Sequence, residues 1–360
     1  MIQTYRPEIL TLSNHEDVKR VASLRNDPYV HKYDTIYQQL EELIKIKYPS
    51  SNFSLEQTSS AISDHLNGRD ISSYGVWVYY PWSARLVHTL GEEEFYAVRT
   101  NRNQLKITAQ EQRSLKNKTV GIIGLSVGQS VALTMAMERV CGKIKLADFD
   151  TAELSNLNRI RTGIHNLNIN KTVIAAREIA EIDPFIDVEI FPEGLNLENM
   201  DSFMNGGSKL DVLVEVCDGI DIKLKSRMHA KALGIPVVME TNDKCMLDIE
   251  RFDLDPNYPI LHGLVDQKDL ESLDILQPSE RMRIIKKIVS VENLSARMLD
   301  SFAELGKSIR SWPQLASSVM MGAAISTEVT RKILLGEPVS SGRCYFDVDE
   351  FLVQNSILSL

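Results

Sequence analysis

Residues 119–150 read TVGIIGLSVGQSVALTMAMERVCGKIKLADFD. Thr119–Gly124 is an unbroken apolar run, as expected of a strand buried on both faces of a parallel sheet. Gly124-Leu125-Ser126-Val127-Gly128 is a glycine-bearing turn, and Ser126–Val140 has the length and composition of a helix. Lys143–Phe149 is a second strand, with Asp148 near its end. Strand, turn, helix and strand in this order make a βαβ unit.

The same alternation continues downstream. Lys171–Ile182 is an amphipathic helix stopped by Asp183-Pro184; Val188–Phe191, Leu210–Val216 and Pro236–Met239 are strands, and Asp221–Leu233 is a helix ended by Gly234. These spacings predict an α/β chain with a doubly wound, mostly parallel Rossmann-like sheet. Met246–Phe252 is a further strand of antiparallel character. Gln267–Ser311 is a charged, mostly helical insertion, Ala316–Leu335 a helix, and Arg343–Val348 a final strand. Upstream lies an N-terminal α+β extension. Its helices span Asp34–Lys47 and Ser54–Asn67, and its strand Tyr74–Tyr80 carries aromatic residues read as core. Thr108 and Glu111 have capping-box spacing. The expected divisions are 1–96, an extension; 97–265, a Rossmann-like core; 266–315, a helical insertion; and 316–360, a helix and strand completing the core.

Composition narrows the function. The chain has 360 residues, 43% apolar and 25% charged, with a net charge of −9. An acidic average argues against a nucleic-acid coat and a polybasic membrane anchor. The most apolar-looking stretch, Leu315–Thr327, is shorter than the roughly 20 residues of a membrane span. Met1–Leu10 is polar and mixed, so the expectation is a cytoplasmic protein without a membrane partner. Cys141, Cys217, Cys245 and Cys344 form no C-x-x-C pair, so no zinc is expected.

The candidate chemistry collects at strand ends. A glycine turn before a helix offers backbone N–H groups to an anion, with Gly124, Ser126 and Gly128 as its members. Asp148, ending the next strand, is placed for two ribose hydroxyls. DFDTAELSNLNR, residues 148–159, then adds Asp150, Asn156 and Arg159, a cluster that hydride transfer does not need. Arg159 and Lys171 suit the neutralisation of phosphate charge, as does Arg161. Asp218 ends the Leu210–Val216 strand region, and a carboxylate beside phosphates is a natural Mg²⁺ ligand. Lys223, Lys225 and Arg227 follow on the next helix and, taken singly, read as solvated surface charges.

The run 148–159, with Lys171 and the Val-Cys-Asp of residues 216–218, resembles the signature of the ThiF/MoeB family, the activating enzymes of ubiquitin-like and sulfur-carrier proteins. The resemblance covers roughly Arg99–Val265 and again Ala316 to the C-terminus. It implies an adenylyltransferase that activates a C-terminal carboxylate with ATP and Mg²⁺ and releases pyrophosphate. Carried over, it makes Asp148 a ribose ligand, Asn156, Arg159 and Lys171 phosphate contacts, Asp150 a neighbour of the reacting centre and Asp218 the Mg²⁺ ligand. Arg99-Thr-Asn-Arg102-Asn resembles the stretch from which an arginine reaches the partner subunit's ATP site, so Arg102 is the candidate and a homodimer is implied. The sequence departs from the family where GLSVGQ replaces GxGGxG, where Ile160 replaces a glutamine, and where the zinc motifs are missing. The pattern resembles a bacterial branch that is sometimes joined to a nitroreductase-like domain.

The resulting expectation is carboxylate adenylation without a thioester step. The acceptor is a small ubiquitin-like or sulfur-carrier protein or a peptide, held between the sheet's carboxyl edge and the insertion. Two alternatives stand beside it: a non-catalytic, nucleotide-binding scaffold, and an NAD- or FAD-linked oxidoreductase.

Overall fold

In the computed structural model, residues 4–271, 273 and 277–356 are described. The chain divides into two compact units, Met1–Arg113 with Arg177–Ile186, and Ser114–Ala176 with Asp187–Leu360.

The first unit holds a four-stranded sheet of β1 (Glu8–Leu10), β2 (His31–Asp34), β3 (Val76–Tyr80) and β4 (Arg85–Thr89), in the order β1-β3-β4-β2. Helices Ile36–Lys47 and Leu55–Leu66 bury Leu40, Leu43, Ile44 and Ile62 in one cluster. Ser54 and Gln57 close a capping box at the start of the second helix. The aromatic residues are packing elements. Trp77 is buried and stacks on His88 at 4.4 Å, and the buried Tyr80 donates its hydroxyl to the Ala180 carbonyl at 3.2 Å.

The second unit is built on a seven-stranded sheet. Its strands are β5 (Thr119–Ile123), β6 (Lys143–Ala147), β7 (Asp187–Phe191), β8 (Val212–Glu215), β9 (Val237–Thr241), β10 (Met246–Glu250) and β11 (Gly342–Cys344). The order is β11-β10-β9-β8-β5-β6-β7. The five strands from β9 to β7 are mutually parallel, and β10 and β11 close the edge antiparallel. The chain winds outward from β5 to β6 and β7, then returns to lay β8 and β9 on the other side. The crevice at the carboxyl ends of β5 and β8 is therefore the topological switch point, where such sheets bind ligands.

The apolar runs explain the core. All five residues of β5 and all four of β8 are buried. Helix Gly128–Glu138 is buried over most of its length, because it packs against both the sheet and helix Ala316–Leu334. The insertion folds as helices Gln267–Glu271, Pro278–Val289 and Ala296–Glu304. One expectation is corrected. The last strand covers only Gly342–Cys344, and Val348–Ser356 is a helix, since Asp347 accepts the Asp349 N–H at 2.9 Å and starts a turn instead of extending the strand. Among the described residues no helix is long and apolar enough to cross a membrane.

Candidate active site

The site begins with the backbone at the end of β5. Gly124 has φ +89°, and a Cβ there would lie 2.8 Å from the Cys217 Cα and 2.9 Å from the Val216 carbonyl oxygen. Only glycine lets this turn press against the loop after β8. At Gly128, the first residue of the helix, a Cβ would lie 2.7 Å from the Ile122 side chain. Glycine here lets the helix start close to the sheet. The peptide groups between these glycines lie at the positive end of the helix dipole.

Asp148 follows β6. Its Oδ2 accepts the Leu125 N–H at 2.6 Å and its Oδ1 the Asp150 N–H at 2.8 Å. Burial pushes its carboxyl up, while Lys171 and the two backbone donors pull it back. The carboxylate is thus fixed in orientation and tied to the turn. The Asn170 amide donates to the carbonyls of Asp148 and Pro192 at 3.2 and 3.1 Å, holding the ends of β6 and β7 together.

The cations come from the segment after Asp148. Lys171 Nζ donates to Asp150 Oδ2 at 2.7 Å, with the lysine buried and the aspartate half exposed. Arg159 Nε donates to Ser126 Oγ at 3.0 Å, and its Nη1 donates to Asn158 Oδ1 at 2.9 Å. Burial lowers the Arg159 pKa and the charge of Asp218 opposes that shift, so these two residues share one field. The Asn156 amide oxygen accepts the Glu153 N–H at 3.1 Å, which holds the turn Leu154–Asn158 that presents Arg159. Gln129 donates to the Arg161 carbonyl at 3.0 Å. Of the three residues that depart from the glycine-rich pattern, Ser126, Val127 and Gln129, the two polar ones tie the turn to the arginine segment.

The structure thus brings Gly124, Ser126, Gly128, Asp148, Asp150, Asn156, Arg159, Lys171 and Asp218 to the carboxyl edge of one sheet, around β5, β6 and β8. Arg102 belongs to the first unit, on the single turn Asn101–Asn103.

Two of the helix cations are not solvated surface charges. Lys223 Nζ donates to Glu215 at 2.8 Å, and Arg227, fully buried, pairs with Glu215 through Nη1 and with Glu250 through Nε at 2.6 Å. Burial alone would raise Glu215; Lys223 and Arg227 hold it at about 2. Glu215 also accepts the Cys217 N–H at 2.9 Å, so this network sets the loop that carries Asp218. Its signal in the sequence was a glutamate inside an apolar strand, four residues apart cations on the next helix, and a second glutamate ending β10.

A cavity of about 230 Å³ lies between this edge and the insertion. Val127, Asp218 and Lys223 line it on the sheet side; Met282, Ile285, Met298, Phe302 and Trp312 form its apolar wall. Burial pushes all four cysteine thiols up, including Cys217 at the cavity edge, so none is an activated thiolate.

Fold and site together define a doubly wound α/β protein with a glycine turn at its switch point. Residues 100–275 match the ThiF family. The Mycobacterium tuberculosis protein MT1398, described as uncharacterized, is 40% identical over 344 residues, which cover 96% of this chain and 46% of that protein. Ubiquitin-like modifier-activating enzyme 5 of Drosophila persimilis is 25% identical over 150 residues, covering 37% of this chain and 39% of the enzyme. The tRNA threonylcarbamoyladenosine dehydratase of Bacillus subtilis is 27% identical over 156 residues, covering 43% of this chain and 60% of the enzyme. The chain spans less than two thirds of the length of each of these relatives.

Proposed function

We propose that the chain is an ATP-dependent adenylyltransferase that converts a carboxylate into an acyl-adenylate and releases pyrophosphate. The observation that carries this reading is the convergence of Asp148, Arg159, Lys171 and Asp218 on the edge that holds the glycine turn. The match of residues 100–275 to the ThiF family supports it.

In this reading the turn Gly124–Gly128 receives phosphate and Asp148 receives the ribose hydroxyls. A substrate carboxylate oxygen attacks the α-phosphorus of ATP. The new C–O–P link forms as the bond to the β-phosphate breaks, and its electron pair leaves with pyrophosphate. The attacking group is already ionised, so no general base is needed. Arg159 and Lys171 lower the cost of bringing two anions together, and their prior engagement by Ser126 and Asp150 fixes them before the substrate arrives. Asp218 offers a hard oxygen ligand of the kind Mg²⁺ takes together with phosphates; the ion, when bound, would neutralise phosphate charge. Among the described residues there is no group of three or more His, Cys, Asp or Glu that could hold a metal ion.

The finer assignments belong to the same reading. The acceptor is the C-terminus of a small ubiquitin-like or sulfur-carrier protein, or of a peptide. The protein acts in the cytoplasm as a homodimer in which Arg102 reaches the partner's ATP, without zinc and with a nitroreductase-like partner. Residues 1–96 are the extension, 97–265 the nucleotide core, 266–315 the insertion and 316–360 its completion. A net charge of −9 weighs against a nucleic-acid acceptor. The altered turn, with Ser126 and Gln129 already engaged, favours a second reading as a nucleotide-binding scaffold without turnover.

ATP–pyrophosphate exchange with a pool of free-carboxylate peptides separates the two. Exchange that depends on the peptides and is lost in Asp218→Ala supports adenylation. Tight ATP binding with no exchange for any peptide supports the scaffold.

A further inference from the structure

The insertion turns two apolar faces to one space. Met282, Ile285 and Val289, spaced i, i+3 and i+7 on the helix Pro278–Val289, line the cavity of about 230 Å³. Met298 and Phe302, spaced i, i+4 on the helix Ala296–Glu304, line it too. This is the spacing of helix faces that bury apolar surface. Trp312 continues the wall and meets the Phe302 ring edge-on at 4.5 Å. From the sheet side Ile220 and Met239 add to the apolar lining.

The charged residues that border the cavity, Asp218, Lys223, Glu240 and Asp243, are each accounted for. Lys223 is paired with Glu215 at 2.8 Å. Asp243 accepts the Ser295 N–H at 2.8 Å and the Ser295 hydroxyl at 2.7 Å. Glu240 packs against Gly322 of the helix Ala316–Leu334, where a Cβ would fall 2.0 Å from its Oε1. Asp218 is the carboxylate proposed for Mg²⁺. A charged side chain entering this space would give up water without gaining a partner, whereas an apolar one would gain the wall. An apolar cavity of roughly 150 Å³ stays dry and takes up benzene, so this larger one has room for a phenyl ring or a branched aliphatic group.

Its position says which group enters. Val127, inside the turn Gly124–Gly128, and Asp218 both line the cavity, whereas Asp148, Arg159 and Lys171 do not. The cavity therefore lies beside the proposed nucleotide site and opens against it. The group that meets the α-phosphate from this side is the carboxylate to be activated, and the side chain on the carbon that bears it is one bond further away. We propose that this cavity is the pocket for that side chain, and that the substrate ends in a large apolar residue of the leucine or phenylalanine kind. The inference rests on the adenylation reading and names the substrate class for that same site. On binding, the side chain leaves water and covers Ile285, Met298 and Phe302, which holds the terminal carboxylate at the turn.

The test uses short peptides of one sequence that differ only in the last residue: glycine, leucine, phenylalanine, aspartate or lysine. Affinities are measured by calorimetry on the full chain, with α,β-methylene ATP present so that no pyrophosphate can leave. Peptides ending in leucine or phenylalanine are expected to bind at least about ten-fold tighter than the other three, the effect of burying one such side chain. Phe302→Ala removes part of the wall. It should cut that preference at least about three-fold and leave the glycine-ended peptide unchanged; Met298→Ala serves in its place if Phe302→Ala lacks a cooperative thermal transition. Equal affinities, tighter binding of a glycine- or charge-ended peptide, no binding of any peptide, or a preference untouched by the wall variant overturns the proposal. Pyrophosphate exchange with ATP and the same peptides keeps the two claims apart. Discrimination without exchange removes adenylation and leaves the pocket; exchange without discrimination removes the pocket and leaves adenylation.

Discussion

Arg159 Nε donates to Ser126 Oγ at 3.0 Å, so the residue that stands in place of a turn glycine is the one that orients the arginine. The contact joins the loop after β5 to the segment after β6. Ser126→Ala leaves the turn's backbone intact and releases the guanidinium. Loss of one charge-assisted hydrogen bond predicts ATP binding weaker by about three- to ten-fold, read by titration with ATP. Unchanged affinity would mean that Arg159 is held by the rest of its loop.

Lys171 is buried and reaches Asp150 at 2.7 Å. Lys171→Met removes a fixed positive charge from the edge where the phosphates are proposed to lie and leaves Asp150 unopposed. Pyrophosphate exchange is expected to fall about a hundred-fold or more, with a smaller effect on ATP affinity, because the charge matters most as pyrophosphate departs. An equal loss in both would place the lysine in ground-state binding.

Gly124→Ala tests the close approach of the loops after β5 and β8. The added methyl meets the backbone of residues 216 and 217, and φ +89° is strained for alanine. Thermal unfolding should show destabilisation of at least about 1 kcal/mol, with ATP binding impaired as well.

Glu240 sets a pH dependence. Burial alone raises its carboxyl from the ordinary 4.5 to about 8. The folded chain therefore keeps a proton that the unfolded chain has lost, and stability falls as pH rises across that interval. The contribution is complete below the unfolded value of 4.5 and is lost as pH passes through about 8. Glu240→Gln removes this slope. Its stability advantage over the parent chain should grow between about pH 5 and pH 8 in denaturant titrations.

The parallel core was legible in the sequence because β5 is a continuous apolar run ended by Gly124, β6 runs into Asp148, and helical patterns of regular length separate the strands. Lys171–Ile182 was readable to its ends because helical periodicity and Asp183-Pro184 agree. The short elements of the first unit were not. β2 is exposed at all four positions and is defined only by its pairing with β4, so no pattern marks it. At the C-terminus Asp347 starts a helix after three residues of strand, a local capping signal hidden behind an apolar run. In the site, the positions of Asp148, Asp150, Arg159, Lys171 and Asp218 followed from topology, whereas their partners did not. That Ser126 meets Arg159, that Arg227 joins Glu215 to Glu250, and that Glu240 stands alone all depend on contacts between segments distant in sequence.

The central claim is that a substrate carboxylate becomes bonded to the α-phosphate of ATP. It is tested most directly by following isotopically labelled oxygen from the carboxylates of a pool of short peptides, with hydroxylamine present to capture the activated acyl group. Adenylation predicts one labelled oxygen in the AMP released, matched by peptide hydroxamate, with both lost in Asp218→Ala. AMP that carries only unlabelled oxygen, or nucleotide turnover that ignores the peptides, would contradict it.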